Sequence, residues 1–450
     1  KKIDTDNLMN PIIYKDDNKV DQIKNIFKYS NLVFLQGGPG TGKTTLIIKL
    51  ILELLQIDNF LNIGLSAPTG KATARLKEAL NDKKNISFSK FLDQIEFQTL
   101  HRWILNSQNK SLKLKFKLKE LDIFIIDEMS MVNIDLIESV LSLLAKDCKI
   151  ILVGDKNQLS PVNNCSIWNY LFEYSDNSLI KSCVVNLEKT YRNIGDIALI
   201  SSLIFNNDFS LLNQKIKELE KDNNSKEISI SKSSEKDIPK DLLFSITSHL
   251  KQLNISTSNL SKKKYIFDES IDNLLLNEKD LVDKIFLDLQ SHLILCEKNS
   301  GIWSVEYLNE IIFGQKKPYD LKTLNEGVPI MCTKNNNELG LSNGDIGVLI
   351  GLKNKRKYLF RKFNDNNEEI VALIDPSNLE NVVPAIAITI HKSQGSESEK
   401  VNILWSQNYR RNQYAVKEKK DNQNIFCRDN FERRLFYTAV TRAKKSLNIY

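Results

Sequence analysis

The chain has 450 residues, 63 Lys+Arg against 56 Asp+Glu, a formal net charge of +7, and 41% hydrophobic residues. This composition excludes a disordered or fibrous chain, and at about 100–200 residues per domain it predicts two to four domains. There is no run of about 18 apolar residues to cross a membrane, and the charged opening KKIDTDNLMN does not read as a secretory signal.

In chain order, the first informative stretch follows VDQIKNIF. Residues 32–36 (LVFLQ) form an apolar run of strand length, then comes GGPGTGKTT (37–45), then LIIKLILELL with helical apolar spacing. Glycine is scarce, with 16 in all, yet Gly37, Gly38, Gly40 and Gly42 fall within six residues. Gly37 to Thr44 satisfies GxxxxGK[ST] in the strand–loop–helix setting that the motif requires. Glycines let consecutive backbone N–H groups turn around phosphate oxygens, and the new helix presents its positive end. Gly38, Pro39, Gly40, Thr41, Gly42, Lys43, Thr44 and Thr45 are therefore the candidate nucleotide cradle. Lys43 would reach the β- and γ-phosphates and Thr44 would bring its hydroxyl to magnesium. An ordinary glycine-rich turn is disfavoured, because Lys43, Thr44 and both flanking elements agree.

Next, SAPTGKATARL (66–76) follows the strand NIGLS and leads into a helix, placing Thr69 and Lys71 where small hydroxyls and exposed N–H groups suit nucleic-acid phosphates. FQTLHRW (97–103) offers Thr99, His101 and Trp103. A lone histidine is ordinarily a satisfied surface or core residue, and Trp103 either stacks on a base or packs in the core. SLKLKFKLKE (111–120) alternates lysine with apolar residues, which predicts a strand with one basic face. It is either a strand-splitting wedge or a solvated edge protected by lysines.

A second apolar strand, LDIFIIDE, ends in Asp127 and Glu128. A carboxylate at the tip of a buried strand is costly unless paired or metal-bound. Asp127 fits a magnesium-holding acid and Glu128 the base that orients water, with an acidic strand-end cap as the bland reading. A third strand, CKIILVGD, leads into KNQLSPV, where the Gln158 amide is placed to contact a γ-phosphate. LEKTYRN (187–193) supplies Tyr191 and Arg192. The polar stretch 206–285 predicts a helical insertion, and 335–382 predicts short strands joined by turns, with Lys353, Lys355, Arg356, Lys357, Arg361 and Lys362 as a basic face or a solvated surface. ITIHKSQGSESE (388–399) supplies Thr389, His391, Ser393, Gly395 and Glu397, and LFYTAVTRAKKSL (435–447) supplies Arg442.

Each segment alone is weak, but their order is not. GGPGTGKTT, APTGKATARL, TLHRW, IIDEMSMV, VGDKNQLSPV, ILCEKNSGIWSVEYLNE, ELGLSNGDIGV, TIHKSQGSE and YTAVTRAKKSL together resemble the motif series of superfamily 1 DNA helicases. Within them the set is most similar to the alpha subunits of exodeoxyribonuclease V. The resemblance covers roughly 17–450 and is thin across 206–285.

The resemblance implies an α/β fold of two RecA-like parallel-sheet P-loop domains. The first would span 1–186, with a small hairpin insertion at about 106–121. The second would span 187–450, with a helical insertion at about 206–285 and a small β-barrel insertion at about 335–382. It implies Arg192 and Arg442 as arginines that reach the γ-phosphate, Gln158 as its sensor, Gln22 and Tyr191 against adenine, and Gly395 and Glu397 on the nucleotide side. Thr69, Lys71, Thr99, His101, Trp103, Thr389, His391 and Ser393 would face DNA. The implied cofactors are ATP and Mg2+, the metal on Thr44 and Asp127. The implied activity is a 5′→3′ helicase on single-stranded DNA and duplex ends, with the other subunits of a RecBCD-type complex as partners and the nuclease in one of them. Stand-alone relatives, and less readily a P-loop NTPase acting on RNA or as a loader, are the alternatives. Six scattered cysteines without a CxxC and four dispersed histidines predict reduced thiols in a cytoplasmic chain with no zinc site.

Overall fold

The computed structural model describes residues 17–81, 91, 94–108, 116–160, 167–173, 178–189, 195–206, 208–221, 227–231, 237–263, 267, 278–336, 338–351, 355–363, 369–405 and 425–450. The chain divides into two compact units, Lys1–Lys156 with Ser160–Tyr191, and Asn157–Leu159 with Arg192–Tyr450. Among the described residues no helix is long and apolar enough to cross a membrane.

The first unit is built on β1 (Leu32–Gly37), β2 (Ile63–Ala67), β3 (Ile95–Thr99), β4 (Ile123–Ile126), β5 (Lys149–Gly154) and β6 (Val184–Leu187). They form one parallel sheet in the order β3-β2-β4-β5-β1-β6. A parallel sheet is covered on both faces, which is why β4 reads IFII and β5 reads KIILVG without alternation. The helices Lys43–Ile57 and Leu100–Gln108 contribute Leu46, Ile47, Leu50, Ile51, Leu100 and Trp103 to the same core. Gly64 makes room for that packing: a Cβ there would lie 2.6 Å from Leu121 and 3.1 Å from Trp103. β6 pairs with β1, Leu187 opposite Gly37, so the unit runs past the expected boundary at 186. Of the expected hairpin, 109–115 lie outside the described residues; Asn106 to Gln108 end a helix and Leu118–Glu120 form a 3-10 turn.

The second unit holds another parallel sheet, from β7 (Ile228–Ile230), β8 (His292–Cys296), β14 (Ile388–Thr389), β15 (Ser398–Leu404) and β16 (Ala443–Ile449), in the order β14-β8-β15-β16-β7. Between β8 and β14 the chain forms β9 (Pro329–Cys332), β10 (Ile346–Ile350), β11 (Lys357–Phe363), β12 (Glu369–Ile374) and β13 (Val382–Pro384). These make an antiparallel sheet, β12-β11-β10-β9-β13, with its own core around Ile330, Leu349 and Phe360. Where a small barrel was expected, the described strands form one antiparallel sheet with β12 and β13 at its ends. The stretch 206–285 supplies the helices Phe209–Lys221, Lys240–Ser261 and Lys279–Ser291, but also β7, which pairs with β16. It is therefore part of the main sheet, and its polar sequence belongs to the outer faces of helices whose inner faces carry Leu242, Leu253, Val282 and Ile285.

Candidate functional site

At the end of β1 the backbone turns through Gly40 (φ 73) and Gly42 (φ 84), the left-handed region that glycine enters without strain. Gly37 is equally constrained, since a Cβ there would sit 2.6 Å from Thr41 Oγ1. The Thr41 hydroxyl donates to Gly38 O at 2.8 Å, and Lys43 Nζ donates to Gly37 O at 2.7 Å and Gly38 O at 3.0 Å. The helix Lys43–Ile57 starts at Gly42 with no side-chain cap and no acid in its first turn. Its positive end and a held ammonium thus converge on one concave loop suited to an anion. Thr44 is partly buried and Thr45 exposed.

β4 delivers the acids. Asp127 N–H donates to Ser66 O at 2.9 Å, tying its backbone to β2, and Glu128 N–H donates to Asp127 Oδ1 at 2.8 Å. Glu128 sits at φ 54, left-handed for a residue with a side chain. Such a conformation costs about 1–3 kcal/mol and persists where surroundings enforce it, typically at functional sites. Burial and the neighbouring Glu128 charge push the Asp127 carboxyl up to about 6, against the pull of Lys43 and the Glu128 N–H. A divalent cation would relieve both causes of that rise, so this donor set fits magnesium. Ser66 and Ser130, on either side of the acids in sequence, are buried with hydroxyls that have no partner among the described residues.

Gln158 is 3% exposed, with its Oε1 unpartnered among the described residues. Asn157–Leu159 belongs to the second unit. There Leu159 N–H donates to Thr438 Oγ1 at 3.2 Å, Gln394 Nε2 donates to Leu159 O at 2.9 Å, and Arg433 donates to Asn157 Oδ1 at 3.0 Å.

The second unit brings two distant motifs together. Arg442 is buried, donating from Nε to Thr438 O at 2.9 Å, from one terminal nitrogen to Ser396 O at 3.2 Å, and from the other to Thr441 Oγ1 at 3.3 Å. Ser396 lies between Gly395 (φ 70) and Glu397, which sits 3.6 Å from Lys444. Tyr191 and Arg192 lie outside the described residues.

The expected DNA-facing residues divide. Thr69 and Thr99 end neighbouring segments: Ala67 and Thr99 are register partners in β2 and β3, and each threonine hydroxyl accepts from the first turn of the following helix, Ala72 N and Arg102 N. His101 is exposed. Lys71 lies on the helix Gly70–Asn81, and Gln22 on the helix Asp17–Ile26 is partly buried. His391 stacks on Phe431, with ring centroids 5.9 Å apart, and burial lowers its pKa. Three expectations need correction. Trp103 is fully buried, edge-on to Phe124 at 5.6 Å, with its indole N–H on Leu65 O, so it packs rather than stacks on a base. Ser393 is fully buried, its hydroxyl donating to Ile390 O at 2.7 Å, and Thr389 is buried in β14. The basic face is occupied locally as well: Arg356 donates to Leu321 O, Lys357 to Asp375, Arg361 to Asp283, and Lys362 to Leu339 O. Sequence reasoning also passed over Gln36, whose signal was an amide at the end of an apolar strand.

Comparison with known proteins agrees with this geometry. Residues 22–164 match the AAA domain family. The RecBCD enzyme subunit RecD of Buchnera aphidicola subsp. Schizaphis graminum is 31% identical over 99% of this chain and 74% of its own length. Its counterpart in Buchnera aphidicola subsp. Acyrthosiphon pisum is 30% identical over 94% of this chain and 70% of its own. The ATP-dependent RecD2 DNA helicase of Deinococcus radiodurans is 34% identical over 29% of this chain and 16% of its own. A Bacteroides Pif1 helicase, solved with ADP-AlF3 and ssDNA, shares the fold with a TM-score of 0.50 and 18% identity, over 98% of this chain and 92% of that one.

Proposed function

The chain belongs to the RecD family of superfamily 1 helicases and is an ATP-dependent DNA helicase, and from that premise we propose how its residues divide the work. ATP lies with its phosphates on Gly38 to Thr45, and Lys43 bridges the β- and γ-phosphates. Thr44 and Asp127 would hold magnesium, which when bound would supply positive charge to the phosphate oxygens. Glu128, fixed by its left-handed backbone, orients the attacking water and accepts its proton. Gln158 reads the γ-phosphate. Arg192 and Arg442 offset the charge that develops on it, a contribution of about 10³–10⁵ in rate where such arginines have been removed. Gln22 and Tyr191 hold the adenine, while Gly395 and Glu397 complete the nucleotide side.

ATP binding and hydrolysis drive conformational steps that move the motor along its strand. Thr69, Lys71, Thr99, His101 and His391 contact the phosphates of single-stranded DNA, whose sequence-independent grip a translocase requires. We further infer 5′→3′ movement, and assembly with the other subunits of a RecBCD-type enzyme, one of which supplies the nuclease. The observation that carries this reading is the phosphate loop itself, with Gly40 and Gly42 left-handed, Lys43 held by loop carbonyls and an uncapped helix behind it. ATP hydrolysis should rise with single-stranded DNA, and a 5′-tailed duplex should unwind in preference to a 3′-tailed one. Turnover indifferent to DNA would overturn the motor; a 3′-tail preference would overturn the direction.

A further inference from the structure

Gln36 is the one amide in the otherwise apolar strand LVFLQG, directly before the phosphate loop. It is 4% exposed and stands opposite Gly154 in the β1–β5 register. Its Oε1 accepts from Lys156 N–H at 3.2 Å and from the Trp168 indole N–H at 3.0 Å. Both partners only donate, so the amide has one chemically sensible orientation. Nε2 then points away, with no partner among the described residues. A methionine would fill the same volume without leaving a buried donor unsatisfied. Packing therefore does not account for a glutamine here, whereas the two accepted bonds do.

Trp168 completes the arrangement from the other side. A Cβ on Gly154 would come within 2.8 Å of its ring, so the indole lies directly against the end of β5. Phe34 and Phe172 hold the ring at centroid distances of 6.0 and 4.9 Å. The exit of β5 at Lys156 is thus fixed by Gln36 and Trp168 together. The same short stretch, through Gly37 O and Gly38 O, also holds Lys43 Nζ.

We propose that Gln36 is a positioning residue for ATP hydrolysis: its side-chain carbonyl fixes the backbone at Lys156, from which the segment bearing Gln158 departs, relative to the phosphate loop. The proposal rests on the reading of Gln158 as the γ-phosphate sensor. Gln36 touches no reacting atom; it fixes the strand exit that leads to another residue's amide.

The test is steady-state ATP hydrolysis by the full chain with single-stranded DNA, alongside ADP affinity and thermal melting. Gln36→Met should lower kcat about tenfold or more, because displacing a catalytic group by about 1 Å can cost about 10²-fold, with KM for ATP and ADP affinity little changed. Trp168→Phe keeps the ring packing, removes one donor and leaves the Lys156 bond, so its kcat should fall less. The double variant should be no worse than Gln36→Met alone, because both act through one network. Unchanged kcat in Gln36→Met, a loss confined to melting temperature, or a fully additive double variant overturns the proposal. If Gln36→Met does not fold, Trp168→Phe decides: reduced kcat at unchanged KM supports positioning, and unchanged kcat overturns it. Gln158→Ala separates the two readings. If it retains kcat, the sensor assignment falls and takes this proposal with it. If it loses kcat while Gln36→Met does not, only the positioning role falls.

Discussion

Polar groups at the strand ends of the first unit and in two clusters of the second are handled in opposite ways. In the first, a large apolar core runs to the strand ends, and the polar residues gathered there are left short of partners: Ser66, Ser130 and the Gln36 amide nitrogen have none among the described residues. In the second, Gln158 Oε1 and Asn309 Oδ1 are likewise unpartnered among the described residues, but two polar clusters are satisfied within the unit. Arg442 is bonded through all three nitrogens, and His249, His292, Asn402 and Asn448 form a half-buried layer between helix and sheet. On the proposed roles, the first unit holds a site waiting for a ligand and the second a cation prepared in advance.

The sharpest way to break this contrast is to compare the two cations. Lys43→Gln should abolish ATP turnover while leaving the melting temperature nearly unchanged. Arg442→Lys should lower kcat by about 10³–10⁵, because an ammonium cannot reproduce the planar fork. If Arg442→Lys lowers only the melting temperature, the buried guanidinium is architectural and the second site is not prepared for catalysis.

A smaller effect tests the first unit's core. Trp103→Ala should cost about 3–5 kcal/mol in chemical denaturation, the range for a large buried aromatic, while DNA-stimulated turnover survives where the protein stays folded. Loss of DNA stimulation with unchanged stability would return Trp103 to the DNA surface.

The smallest effect concerns the second unit's half-buried layer. Burial lowers His292 to about 3, helped by His249 and Lys400, and lowers His249 to about 4 against the opposing pull of Asp288. Asp288 itself is held by Lys284, Ser256 and Gln252, and Ser245 reaches His292 from the same helix. Both histidines fold neutral, whereas the unfolded chain binds protons below its ordinary histidine value of about 6.5. Stability should therefore be full above pH 6.5 and fall as the pH drops from there toward 3, by on the order of 2 kcal/mol per histidine at pH 5. Replacing His292 with Gln should flatten that slope in melting curves; an unchanged slope would mean the histidines are not its source.

How far the sequence could be read follows the same division. The phosphate loop, Asp127 and Glu128 were legible because their chemistry is contiguous and glycine left-handedness is written in residue type. Resemblance put Arg442, Gly395 and Glu397 on the nucleotide side, but the bond from Arg442 to Ser396 O was not legible, since forty-odd positions separate them. The His249–His292 pair was invisible, because two dispersed histidines meet only through packing of the helix Lys240–Ser261 on β8. Trp103, Thr389 and Ser393 were misjudged because a motif position specifies residue type, not which way the side chain faces once the sheet forms. The role of β7 was hidden by brevity: three residues in a polar stretch carry no periodicity to detect.

The antiparallel sheet has a consequence for the order of assembly. β8 and β14 are neighbours in the second parallel sheet, yet the whole of β9 to β13 lies between them in the chain. Closing so long a loop is entropically slow unless the interior collapses first and draws its ends together. The separate core around Ile330, Leu349 and Phe360 provides that collapse through pairings close in sequence. The segment Thr389 to Glu397 leaves at the far end of this inner fold, so by the loop-closure argument it should order after the antiparallel sheet.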